Sequence, residues 1–236
     1  MFNIKNALIY MSNINNFKKH FVFDLDDTLV DGRFFCGETL ARSFAVFIPD
    51  IDKNLVITLH DQLHGTAVPE LYTEIAKMMN LKLDMKKNLP KLLELDKQIQ
   101  VSEIHRLKTF DGVTDILGFL KSNGKKIHMC TNRPMSSLIP ALEYNDIKKF
   151  FKTTVSCLDE GHKKPDPKCL LDIIKNSGDR KEDFIYFGDS VVDCELSKNA
   201  GIEFIVFDQY LNEKNLFKKL INMFLEDKIN NIKKTL

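Results

Sequence analysis

Nine consecutive residues constrain this chain more than any others: Phe21-Val22-Phe23-Asp24-Leu25-Asp26-Asp27-Thr28-Leu29. Three apolar residues run directly into three carboxylates. So short an apolar run reads as a buried strand that delivers acidic side chains to its carboxyl end. In open α/β sheets that edge is where ligands bind. Clustered carboxylates repel one another, and a divalent cation with oxygen ligands is the simplest agent to hold them together.

The remainder of the chain supplies partners for that strand. After Asp111-Gly112, apolar runs at 127–130, 153–157, 184–187 and 204–207 read as further strands. Helical patterns at 113–121, 136–143, 167–176 and 193–199 separate them, and Gly201 closes the last. Such alternation predicts an α/β fold with a doubly wound parallel sheet, Rossmann-like. Between Phe34 and Lys108 the pattern is helical throughout, with Pro49, Pro69 and Pro90 as helix-start punctuation. About 75 residues is far more than a crossover needs. The expected organisation is therefore a catalytic core of 1–33 and 109–236 with an inserted all-helical cap domain of 34–108. A Lys-rich amphipathic helix is expected over 213–227, its apolar stripe formed by Leu216, Leu220, Met223 and Phe224.

Composition narrows the setting. The net charge of +1 makes no electrostatic case for nucleic acid or for an anionic membrane. No apolar stretch approaches the roughly 20 residues needed to span a bilayer. Five scattered cysteines without a C-x-x-C pair argue for reduced thiols and a cytoplasmic setting. The first twenty residues lack acid, as transit peptides do, but they also lack Arg. They read as an N-terminal extension.

Four polar signals follow the strands: Asp24-Leu25-Asp26-Asp27-Thr28, Thr131-Asn132, Lys164-Pro165-Asp166-Pro167 and Gly188-Asp189-Ser190-Val191-Val192-Asp193. A parallel sheet would gather all four at one edge. Their chemistry suits phosphoryl transfer, which needs a nucleophile, charge neutralisation and a proton handler. Asp24 can attack phosphorus and form an aspartyl-phosphate. Asp26 can protonate the leaving oxygen and then activate water. Asp24 and Asp189 can hold Mg²⁺. Thr131 and the amide of Asn132 can donate to phosphate oxygens, and Lys164 supplies fixed positive charge beside the nucleophile. The expected partner is a small phosphorylated metabolite.

The four motifs, in this order, resemble the haloacid dehalogenase-like hydrolase superfamily, in particular its phosphatases with a helical cap. The resemblance places nucleophile and general acid/base on Asp24 and Asp26. It places the small polar residue of the second motif on Thr131, the phosphate-side lysine on Lys164 and the metal-binding acid on Asp189. It also implies that the backbone carbonyl of Asp26 joins Mg²⁺, and that Thr28 and Asp193 support the site. Lys164-Pro165-Asp166-Pro167 resembles the Lys-Pro-x-Pro of phosphoglycolate phosphatases. Leu63-His64-Gly65-Thr66-Ala67 resembles the glycine-centred loop by which their caps reach substrate, which makes Gly65 and His64 candidate contacts. Asp27 departs from that branch, which usually carries Gly there. A β-phosphoglucomutase-like phosphomutase shares the motifs and is the alternative outcome. A binding protein that kept the fold without turnover is a weaker one, since Asp24 and Asp26 are both present.

Two look-alikes fail. Gly188-Asp189-Ser190 resembles the serine motif of Gly-Asp-Ser esterases, but no histidine follows His162 to complete a triad. His60 and His64 have the spacing of a zinc helix but lack its glutamate. They read as partly exposed cap histidines.

Overall fold

The computed structural model describes residues 18–63 and 65–207. The N-terminal extension up to residue 17, His64 and the expected helix over 213–227 lie outside the described residues. β1 (His20–Phe23), β2 (Lys126–Thr131), β3 (Phe151–Ser156), β4 (Phe184–Gly188) and β5 (Glu203–Val206) form one parallel sheet in the order β3-β2-β1-β4-β5. The expected α/β architecture is the observed one. β1 occupies the centre and pairs on both sides, Phe21 with Ile127 and Ile185, Phe23 with Met129 and Phe187.

Both faces of β1 are covered, which is why its sequence is apolar without alternation. Phe21 and Phe23 share one core cluster with residues of α5 (Val113–Ser122) and α6 (Met135–Tyr144). Val22 points the other way, into a cluster with residues of α7 (Lys168–Ser177) and α8 (Val191–Ala200). Crossing helices on both faces leave the strand ends as the open edge.

Between β1 and β2 lie α1 (Arg33–Ala45), α2 (Lys53–Gln62), α3 (Val68–Met78) and α4 (Met85–Ser102). They pack around a separate core that includes Phe44, Val56, Tyr72, Ile75 and Leu92. The two ends of this insertion meet: Asp31 N–H donates to the Lys108 carbonyl and Phe110 N–H to that of Leu29. The insertion is thus a helical unit with its own core and adjacent ends.

Helix starts follow capping chemistry more than proline. Asp52 accepts from Leu55 N–H at the start of α2, and Asp84 from Lys87 N–H at the start of α4. Pro69 does sit in the first turn of α3, as expected. Pro49 lies in the turn before α2, and Pro90 lies inside α4. The proline rule misplaced these two because the aspartate caps already satisfy the first-turn donors. β3 begins at Phe151, two residues ahead of the expected run, after a 3₁₀ turn at Lys148–Phe150.

One buried polar chain at the opposite edge of the sheet was not legible in sequence. His20 Nε2 lies 2.8 Å from Asp179, so it donates, and its Nδ1 must accept from His128 Nε2 at 2.9 Å. His128 Nδ1 is buried without a partner. Burial pushes His128 down to about 4, and burial also lowers His20. Acidification below about 6.5 therefore protonates the unfolded histidine first. On the order of 3 kcal/mol of stability should be lost between that pH and about 4. Denaturant unfolding at graded pH checks this. His128→Gln, which keeps a donor for His20 but does not titrate, should lose less across the same window.

Candidate active site

The four strand-end motifs converge. Asp24 follows β1 directly, and its N–H donates to the Phe187 carbonyl on β4. Thr131 ends β2, and Asp189 follows Gly188, the last residue of β4. Ser190 caps α8 through a capping box with Asp193. Lys164 arrives on the loop after β3 and is buried.

Lys164 Nζ stands 2.8 Å from Asp24 Oδ1, 2.6 Å from Asp193 Oδ1 and 3.3 Å from the Tyr186 hydroxyl. Burial alone would lower the pKa of this ammonium, but the carboxylates of Asp193 and Asp24 override it and hold Lys164 well above its ordinary value. Asp193 is fully occupied in its support role. Its Oδ1 also accepts from Tyr186 O–H, and its Oδ2 accepts from Ser190 N–H and O–H. Its side chain lies so close to Gly188 that a Cβ there would stand 2.5 Å from the Asp193 carboxyl carbon. Only glycine fits this strand end. Thr28 O–H donates to Asp189 Oδ1 at 3.0 Å, orienting that carboxylate.

Asp26 turns away from this group. Both its oxygens accept from Arg133, at 2.8–3.2 Å. Arg133 is buried, and its Nη1 donates to Gln100 Oε1 at 2.7 Å. Gln100 Nε2 in turn donates to Asp96 Oδ2 at 2.9 Å. Arg133, Gln100, Asp96 and Tyr186 were all missed in sequence. Arg133 directly follows Thr131-Asn132, a usable signal. Leu92, Asp96 and Gln100 are the buried residues of α4, spaced four apart, so two polar residues continue an apolar stripe.

The Asn132 side chain makes two contacts. Its Oδ1 accepts from Lys164 N–H at 2.8 Å, and its Nδ2 donates to the Gly65 carbonyl at 3.2 Å. It ties the lysine loop to the glycine loop of the insertion. Gly65 has φ +82°, and a Cβ there would meet Ser190 at 2.8 Å. The insertion thus reaches the sheet edge at Gly65, and between them lies a cavity of about 350 Å³. Asp24, Asp26, Thr131 and Lys164 line it from the sheet, and Leu71 and Leu93 from the insertion. His60 lines it too, but it is buried, not partly exposed as expected, because α1 packs against it at Gly37.

The sequence profile of the haloacid dehalogenase-like hydrolases matches residues 21–207. The chain belongs to this family. Phosphoglycolate phosphatase from Salmonella choleraesuis is 36% identical over 92 residues, 39% of this chain and 36% of that protein. Its Escherichia coli counterpart is 35% identical over 92 residues, with the same shares of 39% and 36%. The match spans little more than a third of these relatives' length. Among solved structures, a candidate phosphoglycolate phosphatase from Lactobacillus plantarum superposes with a TM-score of 0.71 at 16% identity, covering 88% of this chain and 99% of that one. CbbY from Rhodobacter sphaeroides, in complex with phosphate, gives 0.64 at 17% identity, covering 84% and 91%. A candidate β-phosphoglucomutase from Thermotoga maritima gives 0.62 at 24%, covering 92% and 100%. At these identities the likeness is one of fold.

Asp27, the departure from the phosphoglycolate-phosphatase pattern noted in the sequence, has φ +59°. That left-handed backbone is one that glycine adopts without strain. Here the aspartate offsets the strain by accepting from Gly32 N–H at 3.2 Å and by lying 3.7 Å from Arg33.

The carboxylates also fit the cation that this hydrolase family implies. Oxygens of Asp24, Asp189 and Asp193 lie within 4.8 Å of one another, a donor set of hard oxygens. Burial pushes Asp24 up to about 7 although Lys164 opposes it, with Asp193, Asp189 and Asp26 adding to the rise. The group is short of positive charge, since the single ammonium of Lys164, 2.8 Å from Asp24 Oδ1, stands against three carboxylates. Since Asp193 is saturated, Asp24 and Asp189 are the side chains available to a metal. Mg²⁺ should raise the melting temperature, and the rise should shrink as pH falls through about 7, where Asp24 binds a proton instead. Thermal shift at graded pH reads this, with Asp24→Asn and Asp189→Asn expected to abolish the response.

Proposed function

We propose that the chain is a Mg²⁺-dependent phosphatase that hydrolyses a small phosphomonoester through an aspartyl-phosphate on Asp24. The observation that carries the reading is the contact of Lys164 with Asp24 at 2.8 Å, on the wall of a cavity that Asp26 also lines. Nucleophile, charge and proton handler face one space. The proposed division has residues 34–108 acting as the cap, over a core of 1–33 and 109–236.

Asp24 attacks phosphorus, and its carboxylate oxygen forms the new bond as the ester oxygen leaves. Asp26, entering this step with a proton on the carboxyl oxygen turned to the cavity, donates it to that ester oxygen. Asp26, now ionised, then takes a proton from water as the water oxygen attacks phosphorus and the bond to Asp24 breaks. Lys164 and Thr131 hold the phosphoryl oxygens, with the Asn132 amide, and Lys164 keeps charge against Asp24 throughout. Asp24, Asp189 and the Asp26 carbonyl would hold Mg²⁺, which supplies neutralisation of phosphate charge when bound. Asp193, Tyr186 and Ser190 keep Lys164 in place, and Thr28 orients Asp189. The wall of the cavity formed by the insertion excludes water and meets the leaving group. The phosphoglycolate phosphatases matched in sequence support the substrate class.

Phosphate release across a panel of phosphomonoesters should require Mg²⁺ and stop on chelation. Asp24→Asn should reduce it to background; full activity in that variant would refute the assignment. Sugar phosphates that return an isomer without free phosphate would point to the phosphomutase instead. Gly65→Ala should lower kcat/KM by roughly tenfold to a hundredfold, because the added Cβ pushes the loop off Ser190.

A further inference from the structure

We propose that Arg133 and Gln100 are positioning residues for Asp26, and that seating the inserted helices on the sheet completes the side-chain relay that aims this carboxylate. The proposal rests on the reading of Asp26 as proton donor and acceptor.

The relay runs from the insertion to the sheet edge without a gap. Asp96 and Gln100 stand one turn apart on α4, Arg133 follows β2, and Asp26 follows β1. Its direction is set by chemistry. An arginine can only donate, so the Gln100 atom facing Arg133 at 2.7 Å is the oxygen. The amide nitrogen then faces Asp96 at 2.9 Å, and that carboxylate accepts it. Each member therefore holds its neighbour in one orientation, and Asp96 is the anchor. Thr39 adds to this end: its hydroxyl lies 3.4 Å from Gln100 Nε2.

Burial makes the relay exacting. Arg133 is 5% exposed, Asp96 4% and Gln100 6%. Arg133 directs Nε and Nη2 to Asp26, Nη1 to Gln100, and Nη2 also to Cys36 Sγ at 3.3 Å. All four members line the cavity, and Asp26 is the most open of them, its side chain 32% exposed. Lifting α4 would strip Arg133 of Gln100, and the guanidinium that grips Asp26 would lose its third anchor. The two-point grip of guanidinium on carboxylate is directional, so losing its register moves the oxygen that must reach the leaving group. Closure over substrate and aiming of the proton donor are thereby one event.

Leaving-group acidity provides the test. 4-Nitrophenyl phosphate and phenyl phosphate have similar shapes, but phenoxide needs a proton donor more. In Gln100→Met and Arg133→Met the ratio of kcat/KM for the nitrophenyl over the phenyl ester should rise about tenfold or more. A residue that only supported the fold would lower both substrates equally. The double variant Asp96→Asn/Gln100→Glu exchanges amide and carboxylate: Arg133 still donates to position 100, the donor between positions 96 and 100 is reversed, and the wild-type ratio should return. Should Gln100→Met fail to fold, Asp96→Asn/Gln100→Met removes the buried charge and reads the same ratio. An unchanged ratio in the folded Gln100 variant, while Asp26→Asn loses turnover, overturns the relay and leaves the role of Asp26 standing. Wild-type turnover in Asp26→Asn overturns both.

Discussion

The ion pairs of Lys164 hold this site together. A parallel sheet brings Asp24 and Asp189 to one edge, α8 adds Asp193, and both Asp24 and Asp193 are buried. Such a group repels itself strongly in a low-dielectric interior. One ammonium, 2.8 Å from Asp24 and 2.6 Å from Asp193, makes the gathering tolerable. Removing it would leave carboxylates buried together without their counter-charge, the most destabilising kind of loss. The surrounding contacts serve its position: Tyr186 and Asp193 hold the side chain, and Asn132 holds the backbone N–H.

A second ion pair, between Arg133 and Asp26, divides the acidic motif after β1 into two parts. Asp24 faces Lys164 and the other carboxylates. Asp26 faces Arg133 and, through Gln100, the inserted helices. Two carboxylates two residues apart are thus placed in different electrostatic surroundings, as their different proposed tasks require. The insertion contributes more than a wall. It touches the sheet edge at Gly65 through Asn132 and at Gln100 through Arg133.

Much of this was legible in the residues alone. Phe21-Val22-Phe23 predicts a strand covered on both faces, and the structure pairs it on both sides. The strand-end placement of Asp24, Thr131 and Asp189 comes from apolar runs that stop at polar residues. The helical insertion was legible as about 75 residues of helical spacing without a strand. Less was legible wherever a residue's partner is remote in sequence. Nothing near Arg133 announces Gln100, 33 residues away, and nothing near His20 announces His128, 108 residues away. Proline was misread at Pro49 and Pro90 because local propensity weighs less than an aspartate cap already in place.

Sequence by itself determined the class of fold, the order of the motifs and the types of chemical group delivered to one edge. These depend on periodicity and on the residues at each strand's carboxyl end, both local properties. Only the tertiary structure decided which carboxylate faces which cation, which acid is saturated by support contacts, and how the inserted helices reach the motif after β1. Those outcomes depend on distances between segments far apart along the chain. Burial then turns each such distance into a large electrostatic effect.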